Sequence, residues 1–241
     1  MLKSNREKAS HKAIKQQLIA AGKVLVAEGQ DDFTRGHISF RLPDHPKLFF
    51  MKAHSIGLDE ITMQNILTID LEGNVIAGSA RRHSEVYIHS EILKARADVN
   101  CVIHTHPAYS IALSANGRPL KCYSQPGALF FEALGVYTDT INLIRTHALG
   151  AGVARALGQG RGVLLKNHGV VVTGASIEEA VIGTLMLENG AMVQMIAEAA
   201  GDLAPEFSRA DIEKLKHDIT RPDQFKVNFD YLARRVKRRG K

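Results

Sequence analysis

Val102-Ile103-His104-Thr105-His106-Pro107 places two histidines one residue apart at the end of an apolar, β-branched run. Side chains alternate faces along a strand, so His104 and His106 point the same way. Two imidazoles on one face make half of a metal site, because divalent transition metals take neutral imidazole nitrogen readily. The competing reading is a core strand with two incidental polar residues. The free-energy cost of burying an unpaired imidazole disfavours it. A third histidine lies in Asn167-His168-Gly169, between two β runs. Gly169 suits a turn with positive φ, and such a turn can aim one side chain into a cleft. Taken alone, His168 reads as a solvent-facing turn residue; with the other two it leaves an open coordination position for water or substrate. Glu85 stands at the start of a helical stretch just upstream of the histidine strand. Elements that adjoin in sequence usually pack together, which brings Glu85 near the histidines as a general acid/base or a displaceable fourth ligand. A carboxylate complementing a helix N-terminus is the alternative. His89 shares its helix face at i+4 and reads as a structural hydrogen-bond partner.

These side chains need elements to position them. Residues 99–105 read as a central strand, and Pro107 opens a helix through Leu113. Ser84 is a candidate cap for a helix over 85–96, with Val86, Ile88, Ile92 and Leu93 on its buried face. Upstream, apolar spacing predicts a helix over 12–28, broken by Gly29 and Asp31-Asp32. A short strand follows near 37–41, then a hairpin partner at 48–51 and a second hairpin at 66–71 and 75–77. Residues 118–142 carry no clear period. Helix is predicted over 144–157, strands over 162–166 and 170–174, and a long helix from a capping box at Ser176 to about Ala200. Pro205 marks a break, and Ser208 is a candidate cap for a further helix to about His217. Strands and helices mix without strict βαβ alternation. The expectation is therefore one α/β domain over residues 1–241, either α+β or a three-layer αβα sandwich.

The chain has 241 residues, 45% of them hydrophobic, enough to bury a sizeable core. No apolar run approaches the roughly 20 residues that span a bilayer. The N-terminus lacks the apolar core of a signal peptide. Cys101 and Cys122 make no disulfide framework. The expectation is a reduced, cytoplasmic setting without a membrane partner. The net charge of +6 owes much to residues 222–241, where Arg and Lys cluster. No nucleic-acid motif accompanies them, so a solvated, partly mobile basic tail is expected and no nucleic-acid partner. Basic residues in the body instead suit a small anionic substrate.

The residues also resemble a known family, the class II aldolase/adducin family, over about residues 12–200. The resemblance is carried by Gly36-His37-Ile38-Ser39, Asp70-Leu71-Glu72-Gly73-Asn74-Val75 and Ser84-Glu85. It continues through residues 95–107, from Ala95-Arg96-Ala97-Asp98 to His104-Thr105-His106-Pro107, and Leu165-Lys166-Asn167-His168-Gly169. It implies a mostly antiparallel central sheet, one divalent metal ion per subunit (Zn, Mn, Fe or Co) on His104, His106 and His168, and Glu85 as acid/base. It also implies a homotetramer with active sites at subunit interfaces, where Tyr137 and Tyr231 are candidates to reach a neighbouring site.

The chain departs from the sugar-phosphate aldolases of that family. They carry Gly-Asn, a Thr-Pro-Ser/Thr-Gly loop and Ser-Ser before the glutamate. Here those places hold Gly36-His37, Lys52-Ala53-His54-Ser55-Ile56-Gly57 and His83-Ser84. Small phosphate-binding donors give way to imidazole and ammonium groups. The variants look like the branch of metal-dependent decarboxylases acting on hydroxylated aromatic and pyridine dicarboxylates. His37, Lys52 and His83 are the expected substrate contacts, since cationic donors pair with carboxylates. The expected activity is a carbon–carbon lyase, with a dihydroxyphthalate-like or hydroxypyridine dicarboxylate as substrate. The alternatives are an aldolase of a non-phosphorylated or sugar-derived hydroxy-carbonyl compound and a non-catalytic adducin-like interaction module.

Overall fold

The computed structural model describes residues 5–239, apart from 202 and 205. The break expected at Pro205 lies outside the described residues. In chain order the elements are α1 (Asn5–Ala27), β1 (His37–Leu42), β2 (His45–Lys52), β3 (Ile66–Asp70), β4 (Val75–Ala77), α2 (Val86–Ala95), β5 (Cys101–Thr105) and α3 (Ala108–Ala115). They continue with α4 (Gln125–Ala128), β6 (Leu134–Tyr137), α5 (His147–Leu157), β7 (Gly162–Leu165), β8 (Gly169–Gly174), α6 (Ile177–Ala200), α7 (Arg209–Ile219) and α8 (Pro222–Arg239).

The eight strands form one sheet in the order β4-β3-β2-β1-β5-β8-β7-β6. Every pair is antiparallel except β6 with β7. The two faces carry separate cores. Ile38, Cys101, Ile103, Val170 and Val172 pack under α1, α6 and α8. Met51, Val102, Val163, Leu165 and Val171 pack under α2 and α5. The result is the expected αβα sandwich. Period-two alternation assigns faces: Ile38 and Ile103 take the first, while His37, Ser39 and His104 take the second.

Two contacts seat α2, whose N-terminal end carries Glu85. Buried Arg41 donates to the carbonyls of Leu93 in the last turn of the helix and of Arg96 and Val99 just beyond it. Those carbonyls lack intrahelical partners, and a guanidinium complements the negative end of the helix dipole. On the other side, Gly150 of α5 lies so close to α2 that an added Cβ would sit 2.3 Å from the Tyr87 carbonyl oxygen. Only glycine permits that approach.

Several expectations change. Residues 222–239 form a helix, not a mobile tail. Phe225, Phe229 and Leu232 recur at helical spacing and are buried. The clustered arginines had masked that apolar stripe. Glu85, not Ser84, takes the N-cap position of α2 and makes no side-chain cap bond. Helix α5 starts at His147, with Thr146 as its cap. Residues 144 and 145 are thus freed from the helix. Residues 118–142 supply α4 and the parallel strand β6, a half-buried edge with little alternation to read. Among the described residues, Ile177–Ala200 alone is long and apolar enough to cross a membrane, and its face through Ala180, Leu187 and Ala191 packs into the core.

Candidate metal centre

His104 is the buried histidine of β5, and His106 follows just beyond the strand end. Their Nε2 atoms lie 3.1 Å apart. His104 Nδ1 is 2.8 Å from the Val170 carbonyl oxygen. A carbonyl only accepts, so Nδ1 carries the proton and Nε2 presents its lone pair. Asp32 Oδ2 lies 2.9 Å from His106 Nδ1, off the N–H axis, which likewise favours a proton on Nδ1. Two Nε2 lone pairs then face each other. A tetrahedral metal with nitrogen ligands at about 2.05 Å needs them roughly 3.3 Å apart.

His168 completes the set. The turn that aims it has positive φ at Asn167, 59°, and not at Gly169. Gly169 is required for a different reason. A Cβ there would lie 2.5 Å from the Thr105 carbonyl oxygen and 2.7 Å from His106 Cδ2. The chain must pass this close to bring His168 beside β5. The His168 ring stacks on His106 with centroids 5.3 Å apart, and neither of its buried nitrogens has a hydrogen-bond partner among the described residues. One nitrogen from each of His104, His106 and His168 falls in a group whose atoms all lie within 4.8 Å of one another. Burial pushes all three imidazoles down, His168 to about 4, which favours the neutral form that can ligate a metal. The donor set, the facing lone pairs and the orphaned His168 nitrogens fit a divalent cation.

Glu85 lies on the same side. Its Oε1 is 3.7 Å from His168 Nε2, and its Oε2 is 4.0 Å from His104 Nε2 and 3.8 Å from His37 Nε2. Oε1 accepts the Ile144 backbone N–H at 2.8 Å. Burial raises the carboxyl pKa, and the Ile144 N–H and the Arg145 charge pull it back only in part.

The three expected substrate contacts fare differently. His37 and His83 are in ring contact, centroids 4.1 Å apart, with Glu85 next to both. His83 lines the cleft, and burial together with the Lys52 charge pushes it to about 3. Lys52 is buried and, like His37, is not part of the cleft wall. Its ammonium donates to the carbonyls of Thr34 and Ile56, joining the two loops that flank the site. Burial lowers it to about 8.

The cleft has a volume of about 620 Å³. Ile111, Ile141 and Leu143 contribute apolar lining; Arg35 and Arg145 contribute guanidinium groups, His54 and His83 neutral imidazoles, and Asp32 and Glu85 carboxyl groups. Asp32, Arg35 and Arg145 were not singled out in the sequence. Asp31-Asp32 read only as a helix break, and Arg145 read as part of a helix. Thr146 followed by a helical run was the available sign that the helix begins later. Tyr137 is buried in β6, its hydroxyl without a partner among the described residues. Tyr231 is half exposed beside Tyr109 in a separate cleft.

Residues 16–195 match the family model described as Class II Aldolase and Adducin N-terminal domain. A 3,4-dihydroxyphthalate decarboxylase of Arthrobacter keyseri is 28% identical over 217 residues, 86% of this chain and 87% of that one. The decarboxylase NovR of Streptomyces niveus is 31% identical over 186 residues, 76% of this chain and 68% of that one. The solved structure of an L-fuculose 1-phosphate aldolase from Glaciozyma antarctica superposes with a TM-score of 0.86 at 25% identity, covering 99% of this chain and 94% of that one. With its αβα sandwich and its match over three quarters of its length, the chain belongs to the class II aldolase and adducin family.

Proposed function

We propose that the protein is a divalent-metal-dependent carbon–carbon lyase that decarboxylates a hydroxylated aromatic dicarboxylate. The observation that carries this reading is the mixed lining of the cleft. An aromatic ring suits Ile111, Ile141 and Leu143, carboxylates suit the guanidinium groups of Arg35 and Arg145, and the imidazoles of His54 and His83 offer hydrogen bonds. The likeness to a 3,4-dihydroxyphthalate decarboxylase supports the same substrate class.

His104, His106 and His168 are assigned as ligands of one divalent ion per subunit. Such an ion supplies positive charge that stabilises electrons left on the substrate when a carbon–carbon bond breaks. The protein's own groups do the rest. Arg35 and Arg145 orient the substrate with the carboxylate to be lost beside its neighbouring hydroxyl. The bond between ring carbon and carboxylate breaks, CO2 leaves, and the electron pair stays on the ring. A proton drawn from water passes through Glu85 to that ring carbon, and burial raises the carboxyl pKa in the direction this transfer needs. His37 and His83 hold substrate oxygens. Lys52 acts one step back, by fixing the loops around Thr34 and Ile56.

A homotetramer is part of this reading. Ile141 is 63% exposed at the cleft edge, a surface that a neighbouring subunit would cover. A cytoplasmic location accords with both cysteines being free.

The second reading is aldol cleavage, favoured by the structural likeness to an L-fuculose 1-phosphate aldolase. In that reaction Glu85 would move a proton at the carbon next to the substrate carbonyl, whose developing charge a divalent ion on the three histidines would stabilise. Parallel incubations of the metal-loaded protein separate the two. One arm uses 3,4-dihydroxyphthalate, the other L-fuculose 1-phosphate and a hydroxy-oxoacid aldol. Release of CO2 in the first arm alone is expected; aldehyde in the second alone would reverse the assignment. Protein that takes up no metal would sink both and leave the interaction-module reading.

A further inference from the structure

Behind the cleft runs a buried chain of three side chains. Ser39 Oγ is 2.6 Å from His89 Nδ1, and His89 Nε2 is 2.6 Å from His37 Nδ1. All three residues are 0% exposed. His37 Nε2, at the other end, is buried without a partner among the described residues and faces Glu85 Oε2, a carboxyl that lines the cleft, at 3.8 Å. His37, His83 and Glu85 also have metal-ligand chemistry, with one atom of each within 4.8 Å of the others.

The protons in this chain have two arrangements. In one, Ser39 accepts from His89 Nδ1–H and His89 Nε2 accepts from His37 Nδ1–H. The Ser39 hydroxyl has no other hydrogen-bond partner among the described residues, so its proton is then sealed in unpaired. The His37 Nε2 lone pair meanwhile faces a carboxyl oxygen. In the other, Ser39 O–H donates to His89 Nδ1, and His89 Nε2–H donates to His37 Nδ1. That leaves one open group, the His37 Nε2–H, and it faces an oxygen. An unpaired buried donor is costly, and the second arrangement has one orphan where the first has two.

We propose that Ser39 and His89 are positioning residues that hold His37 as the Nε2–H tautomer, a hydrogen-bond donor for a substrate oxygen beside Glu85. A nitrogen carrying a proton is not a metal ligand, so the cluster of His37, His83 and Glu85 is a donor set and not a second metal site. The nearby Lys52 charge opposes a second dication as well. The substrate oxygen, though not the tautomer, rests on the decarboxylase reading.

Neutron diffraction from perdeuterated, zinc-loaded crystals reads the protons directly. Deuterons are expected on Ser39 Oγ, His89 Nε2 and His37 Nε2; a deuteron on His37 Nδ1 overturns the proposal. Zinc titration of the metal-free protein should give one tight site per subunit, and a second tight site lost in His83→Ala would also overturn it. With 3,4-dihydroxybenzoate as probe, Ser39→Ala should bind about 3- to 10-fold more weakly at unchanged zinc content, and Ser39→Thr should restore binding. Ser39→Ala binding the probe like the wild type contradicts the role. Wild-type protein that ignores the probe speaks against the decarboxylase reading, while the deuterons still decide the tautomer.

Discussion

The Asp32 carboxylate lies 2.9 Å from Nδ1 of His106. Arg35 holds that carboxylate from the other side at 2.5 Å. A carboxylate behind a ligating imidazole fixes the ring and raises its basicity. Asp32→Asn should therefore weaken zinc binding about 10- to 100-fold without unfolding the protein. Competition with a chromophoric chelator measures the affinity, and circular dichroism checks the fold. Unchanged affinity would show that His106 needs no such support.

Gly169 makes a sharper steric test. An added methyl group would meet backbone at Thr105 and the ring of His106. Neither is the far end of a flexible chain, so β8 must move away from β5 just where His168 is aimed. Gly169→Ala should cost about 1–3 kcal/mol of stability, as overpacking does. It should also lower zinc affinity more than an equally destabilising change in the other core, such as Val172→Ala. Equal affinity in both variants would mean that the turn absorbs the methyl group.

The contrast between His104 and Asp32 shows what a sequence can reveal. His-x-His needs only the two-residue period of a strand to place both rings on one side, so that half of the site is legible locally. The pairing of His37 opposite His104 depends on strand order, since β1 and β5 are separated in the chain by elements that pair elsewhere. Asp32 reaches His106 because Thr105 Oγ1 donates to Gln30 Oε1 and so ties the loop after α1 to the end of β5. No spacing rule carries such a contact across 75 residues. Lys52 misled because a cation near anion-binding chemistry suggests a ligand, whereas its ammonium meets two backbone carbonyls. The helix over 222–239 was hidden by charge, although Phe225, Phe229 and Leu232 carried the period.

Lys52 gives a pH signature. Burial pushes its ammonium to about 8, below the value near 10.4 for a free lysine. Between those values the unfolded chain binds more protons than the folded one, so stability rises with pH. At and below pH 8 the charged amine costs the fold up to about 3 kcal/mol, and that cost fades as pH climbs toward 10.4. The neutral amine keeps two N–H groups, enough for the Thr34 and Ile56 carbonyls. Urea unfolding at pH 7 to 10, wild type against Lys52→Met, isolates this contribution. The stability difference should move in favour of the wild type as pH rises above 8. A flat difference would mean that the ammonium is not penalised by its surroundings.

Arg41 tests how α2 is held. Removing its guanidinium strips partners from the buried carbonyls of Leu93, Arg96 and Val99. Arg41→Leu should cost about 2–4 kcal/mol, since unpaired buried acceptors lose their full solvation. Chemical denaturation measures it. A loss below about 0.5 kcal/mol, on the order of a surface change, would mean water replaces the guanidinium.

Glu85 has two competing roles, acid/base and fourth ligand, and one substitution separates them. The carboxyl sits 3.7–4.0 Å from His168 Nε2 and His104 Nε2 and already accepts the Ile144 N–H. Glutamine keeps that oxygen acceptor and the shape, but has no proton to give a ring carbon. If Glu85 is the acid, Glu85→Gln keeps zinc affinity within about threefold and lowers turnover about 10²- to 10⁴-fold. If Glu85 is a ligand, zinc affinity falls together with turnover. The raised carboxyl pKa also sets a direction for the pH profile of the wild type. A carboxyl that holds its proton to higher pH stays an acid over a wider range, so activity should fall on the alkaline side as Glu85 ionises. An amide does not titrate, so the residual activity of Glu85→Gln should lose that alkaline limb. A limb that survives the substitution would assign it to another group and leave the acid unidentified.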